Sequence, residues 1–171
     1  MTRRARHRAG EPGGARKTPR LERKLFHVLA TEQGVRAGLA DMRDFLGDAG
    51  FDADACGTAE IVLAEALNNI AEHAFAATEA GVVRVTLTPG HHSLTAQIVD
   101  TGTALPELCP PSGQLPPLRG TKRSLPEGGF GWFLIRTLTE CLCYTRHADE
   151  NHLCLHISFF APGTDAARSD R

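Results

Sequence analysis

The chain has 171 residues, 42% of them apolar and 23% charged. Those are ordinary values for a globular chain with one buried core, and no run approaches the roughly 20 apolar residues of a membrane-spanning helix. The formal net charge of -1 conceals an asymmetry: residues 1–24 hold nine Lys/Arg and two Glu, which leaves ten basic and eighteen acidic residues for the remainder. An acidic remainder argues against direct DNA binding by the core.

Residues 1–22 are Arg-rich and interrupted by Gly and Pro, so they read as a disordered basic tail. No apolar segment follows that tail, which excludes a secretory signal. The five cysteines are odd in number and form no CxxC pair, which points to a reducing compartment, the cytoplasm. From residue 23 the pattern becomes structured. "RKLFHVLAT" (23–31) alternates apolar and polar residues as a strand does. Residues 34–50 have helical spacing at Val35, Leu39, Met42 and Leu46 and end on Gly50. Residues 51–78 predict a longer helix with Asp52 or Asp54 as its N-cap. Residues 81–90 and 93–100 read as a hairpin through Pro89-Gly90.

Residues 101–127 hold six of the ten prolines and read as one long loop, the kind that serves as a lid or a linker. Residues 128–140 pass from Gly-rich to helical, and "CLCYTRH" (141–147) pairs with "HLCLHISFF" (152–160) across an "ADEN" turn. A polar tail, 161–171, closes the chain. The order β-α-α-β-β-loop-α-β-β predicts an α/β chain of the α+β type, a two-layer sandwich with helices on one face of a mixed sheet.

Three segments carry residues suited to chemistry. In "EALNNIAEHAF" (65–75), Glu65 and Asn69 are four apart and share one helix face, with His73 one turn further on. A carboxylate can take a proton from an attacking hydroxyl, and an amide oxygen is a hard ligand suited to Mg2+. A solvent-facing polar stripe is the competing reading, but apolar residues from Ile61 to Ala74 spread around much of this helix. In "IVDTGTAL" (98–105) an apolar strand ends on Asp100, with Gly102 two residues later. A carboxylate there can accept from an exocyclic amine, and a glycine lets a flat ring approach the backbone; an ordinary D-x-G turn looks the same. In "EGGFGWFLI" (127–135), glycines before a helix expose N–H groups and the positive end of the helix dipole, a phosphate site in general terms. No G-K-[ST] ending follows, so it is not a P-loop.

Together, in this order and spacing, the three segments resemble the boxes of the GHKL (Bergerat-fold) ATPase superfamily. The chain looks most like the branch of stand-alone anti-sigma-factor serine/threonine-protein kinases, over residues 23–160. "EALNNIAEHA" is similar to that branch's pattern E-A-x-x-N-x-x-x-H-A, "VDTGTALP" to a relaxed first glycine box, and "GGFGWFLI" to the second. The resemblance implies a Bergerat ATP-binding fold with a mixed, mostly antiparallel sheet. It implies Glu65 as catalytic base, Asn69 as Mg2+ ligand, and Asp100 at the adenine amine with Gly102 beside the ring. It also implies that Gly129, Phe130 and Gly131 offer N–H groups to the phosphates, and that residues 105–127 form an ATP lid. His73 matches the pattern, with a packed or helix-linked histidine as its expected state. Arg119, Lys122 and Arg123 of the lid are candidate phosphate neighbours.

Two positions depart from the pattern: Ala104 stands at the second glycine of the first box, and alignment puts Cys154 where a threonine often helps to hold adenine. Cys141 and Cys143 share one face of a strand, and Cys154 and His156 share one face of its partner; no metal-ligand spacing is typical, so the cysteines read as buried free thiols.

The resemblance implies transfer of the γ-phosphate of ATP to a STAS-domain antagonist (anti-anti-sigma) protein, with a sigma factor as second partner, a homodimer as assembly and no membrane. Two further readings stand beside it. One is a nucleotide-binding interaction module without phosphotransfer. The other is the catalytic domain of a two-component histidine kinase, which no helical segment ahead of residue 23 supports.

Overall fold

The computed structural model describes residues 22–75, 81–113 and 130–159. The basic tail, the lid bases Arg119, Lys122 and Arg123, and Gly129 lie outside those residues. The first strand, β1, is Lys24–Leu29. Its alternation buries Phe26 and Val28 and leaves Leu25, His27 and Leu29 outside. Thr31 caps helix α1 (Glu32–Asp48), its hydroxyl accepting from Gly34 N at 3.0 Å. Gly50, at φ 92°, ends it in a conformation that side chains disfavour. Helix α2 is Ala53–Asn69, and Asp52 is its N-cap, with Oδ1 accepting from Ala55 N at 2.8 Å. The Asp52→Ala variant is expected to lose about 1 kcal/mol, seen as a fall of roughly 2–4 °C in thermal denaturation.

After Asn69 the helix widens into a π-helical turn, Ile70–Ala74. The hairpin follows as β2 (Val82–Pro89) and β3 (Ser93–Asp100). In the described part of the Pro-rich stretch lies a short 3-10 turn, Pro106–Leu108, in which Glu107 and Leu108 have φ of 55° and 52°. Helix α3 is Phe130–Leu138, and β4 (Cys141–His147) and β5 (Glu150–Ser158) complete the chain order.

The five strands run in the order β1-β2-β3-β5-β4. Every neighbouring pair is antiparallel, so the sheet is not mixed. β3 and β4, each antiparallel to β5 and separated by it, run parallel to one another, so the connection from β3 through α3 to β4 is a crossover past the position that β5 fills. One face is apolar. Val85, Leu87, Leu94, Ala96, Ile98, Leu155 and Ile157 form a core with Met42, Leu46, Val62, Leu63, Leu67 and Ile135 of the helices. The other face carries polar residues, joined by Arg84 to Glu150 at 2.6 Å. This is the expected two-layer α+β sandwich. No helix among the described residues is long and apolar enough to cross a membrane.

Two cysteine expectations are corrected. Cys141 and Cys143 are exposed, because they alternate outward on an edge strand; Cys154 opposite them is half-buried. Burial, then the neighbouring Cys143 and Cys141 thiols, push the Cys154 thiol above its ordinary pKa.

Candidate nucleotide-binding site

A cavity of about 550 Å³ lies between the second half of α2 and the ends of β3 and β5. Asn69, His73 and Ala74 line its helical wall, Asp100, Asn151 and Leu153 its sheet wall. Residues 103–106 and 111–113, with Trp132, close the remaining sides. Arg136 of α3 clamps the overlying segment, donating to Pro111 O at 2.7 Å and Pro110 O at 3.0 Å.

The helix places its polar pair as the spacing predicts. Both Glu65 and Asn69 are half-buried on α2. A Cβ added at Gly131 would lie 2.6 Å from Glu65 Oε2 and 3.4 Å from Asn69 Nδ2, so the first turn of α3 reaches these two groups because it has no side chain there. The positive end of that helix favours a carboxylate, or a phosphate, beside it. Asn69 Nδ2 is buried without a hydrogen-bond partner among the described residues. Such an orphan costs about 1–3 kcal/mol unless a ligand satisfies the amide. Phe130 begins α3, 54% exposed, with its ring edge-on to Phe133.

The first glycine box is fixed by the π turn. Thr103 N donates to Ala74 O at 2.9 Å. A Cβ at Gly102 would lie 2.6 Å from both Ala74 O and Ala74 Cβ, so only glycine lets the two segments meet. Asp100, buried to 5% exposure, accepts from Gly102 N at 2.8 Å through Oδ1. The widened helical turn is thus a positional device, as such bulges often are at functional sites.

His73, within the π turn, is exposed at the cavity rim, so of the two expected states it is not the packed one. Cys154 does not face the cavity. On β5 the buried residues are Asn151, Leu153, Leu155 and Ile157, and Cys154 alternates to the opposite face. The side chain beside Asp100 is Asn151, its register partner across β3 and β5. Asn151 Nδ2 donates to Asp100 Oδ1 at 2.8 Å, and its Oδ1 accepts from the Tyr144 hydroxyl at 2.7 Å. Sequence reading missed Asn151 and Tyr144. The signal was there: a polar residue in phase with the apolar face of β5.

Residues 28–157 match the histidine kinase-like ATPase domain. The chain belongs to that family. That domain agrees with the GHKL-type fold that the three boxes implied. One relative is the serine/threonine-protein kinase BtrW of Bordetella bronchiseptica, 34% identical over 91 residues. That match takes in 53% of this chain and 62% of BtrW. Among solved structures, the RsbU and RsbW domains of Rv1364c from Mycobacterium tuberculosis superpose with a TM-score of 0.52 at 16% identity, over 81% of this chain and 33% of that one. At that identity the superposition speaks for the fold of this ATPase domain.

Proposed function

We propose that the chain is an ATP- and Mg2+-dependent serine/threonine-protein kinase and anti-sigma factor whose substrate is a STAS-domain antagonist protein. The observation that carries this reading is the pairing on α2. Glu65 and Asn69, whose buried Nδ2 has no partner among the described residues, stand one turn apart against the start of α3, and Asn69 lines a cavity whose sheet wall presents buried Asp100.

The residues fit the groups they would hold. Asp100 would accept from the amino group of adenine, and Gly102 would leave room beside the ring. Gly131 and Phe130, with Gly129, would donate backbone N–H groups to the phosphates. The Asn69 amide, turned to present its oxygen, would ligate Mg2+, which would supply neutralisation of the phosphate charge. Glu65 would accept the proton of the incoming hydroxyl. That oxygen bonds to the γ-phosphorus as the bond to the bridging oxygen breaks, so phosphoserine or phosphothreonine forms and ADP leaves. The carboxylate then holds the proton at Oε2 or Oε1 until solvent takes it.

The similarity to BtrW supports protein phosphorylation, and the branch likeness supports partner switching between an antagonist and a sigma factor, with a homodimer as the working assembly. The test is transfer of labelled γ-phosphate to STAS-domain proteins encoded beside the gene. Labelled antagonist is the expected result. ATP binding without transfer to any of them would leave a nucleotide-dependent interaction module.

A further inference from the structure

The amide of Asn151 is engaged on both sides. Its Nδ2 donates to Asp100 Oδ1 at 2.8 Å, Gly102 O at 3.2 Å and Thr103 O at 3.3 Å. Its Oδ1 accepts from the Tyr144 hydroxyl at 2.7 Å and from Arg146. Three acceptors face the nitrogen and two donors face the oxygen, so the reverse orientation would set like against like on both sides. Asn151 is 3% exposed, which makes every lost partner costly. Its own holders are tied into the same loop: the Tyr144 hydroxyl accepts from Leu105 N at 3.1 Å, and Arg146 donates to Gly102 O at 3.2 Å.

This network determines what Asp100 can do. Both hydrogen bonds that Asp100 receives among the described residues, from Gly102 N and Asn151 Nδ2, end on Oδ1. Oδ2 receives none there, and Asp100 lines the cavity. A carboxylate with one oxygen held by two N–H donors cannot turn about its χ2 axis without losing both. The remaining oxygen is then a fixed acceptor, suited to an N–H donor such as the 6-amino group of a purine and repelled by a 6-oxo group.

We propose that Asn151, held in one orientation by Tyr144 and Arg146, is the positioning residue that aims the free oxygen of Asp100, so that preference for 6-aminopurine nucleotides depends on the β4–β5 pair as well as on Asp100. This rests on the nucleotide reading above and extends it from the residue that touches the base to the residues that orient it.

The test is a cycle between protein and ligand. Affinities of the full chain for Mg-ATP and for Mg-purine riboside triphosphate, which has hydrogen in place of the 6-amino group, are measured by calorimetry for wild type, Asn151→Leu and Tyr144→Phe. Wild type is expected to favour ATP. Asn151→Leu should lose about tenfold for ATP and stay within about twofold for the deamino analogue. Tyr144→Phe keeps the ring and loses only the hydroxyl, so it should shift ATP in the same direction by less, again sparing the analogue. It also serves as the readout should Asn151→Leu fail to fold.

A merely structural role for Asn151 would weaken both ligands equally in both variants, and that result overturns the proposal while leaving the nucleotide site in place. Equal wild-type affinity for the two ligands would remove Asp100 as the amine acceptor, and the proposal with it. Failure of wild type to bind either ligand would overturn the nucleotide reading itself.

Discussion

Glu65→Ala is expected to slow phosphotransfer to the antagonist protein by about 10²–10⁴-fold, the usual worth of a positioned general base. Affinity for Mg-ATP should stay nearly unchanged. The two effects separate because of what each side chain can reach. Asn69 lines the cavity and has an unsatisfied amide, whereas Glu65 sits one turn away with Oε2 against the Gly131 backbone. A group that acts only as the hydroxyl loses its proton contributes to the transition state and not to the bound ground state, so its removal lowers kcat and kcat/KM together. Glu65→Gln sharpens the test, since it retains the shape against α3 and lacks the basic oxygen; it should fall nearly as far as Glu65→Ala. Asn69→Ala should instead damage binding and transfer together. The measurement is transfer of labelled γ-phosphate beside calorimetric binding for all three variants. Full transfer by Glu65→Gln would place the base elsewhere.

The sequence made α2 and the shared placement of Glu65 and Asn69 legible because helical spacing is rigid: four residues apart means one face, whatever the helix packs against. Glycine boxes are legible for a related reason, since a missing side chain matters wherever backbones meet, as Gly102 does with Ala74. Asn151 was hidden by a boundary. "ADEN" has turn chemistry throughout, so the last strand was expected to begin at His152. The chain in fact turns in two residues, with Ala148 at φ 51°, and Glu150 already pairs with His147. A non-glycine residue in the left-handed region is uncommon enough that spacing rules favour a longer turn. That two-residue slip left Asn151 in the turn, while Cys154 was placed by alignment and in fact alternates to the opposite face of β5. The π turn was equally unreadable. Its effect, bringing Ala74 onto Gly102, arises from the meeting of two segments distant in sequence.

Asp100→Asn is expected to weaken Mg-ATP by roughly ten- to hundredfold, the value of a hydrogen bond to a charged group at about 1.5–3 kcal/mol. The substituted amide has two orientations and neither serves. With its oxygen toward Gly102 N and Asn151 Nδ2, both 2.8 Å from Asp100 Oδ1, the loop is preserved, but an NH2 group then faces the amino group of the base. With its oxygen toward the base, the NH2 group meets two N–H donors in a site where Asp100 is 5% exposed, and the loop carrying Gly102 and Thr103 must shift. The first orientation keeps more hydrogen bonds and should prevail, which gives the variant a signature of its own. An NH2 group in the recognition position repels a 6-amino group and attracts a 6-oxo group. The preference for ATP over inosine triphosphate should therefore shrink, or reverse, even as affinity for ATP falls. Thermal denaturation of the free variant should move little, because the preserved orientation leaves the Asn151 network closed. Calorimetry with both nucleotides decides the matter: unchanged ATP affinity in Asp100→Asn would remove Asp100 from base recognition. An equal loss for ATP and inosine triphosphate would mean that the substitution acts by disturbing the loop and not by changing what the base meets.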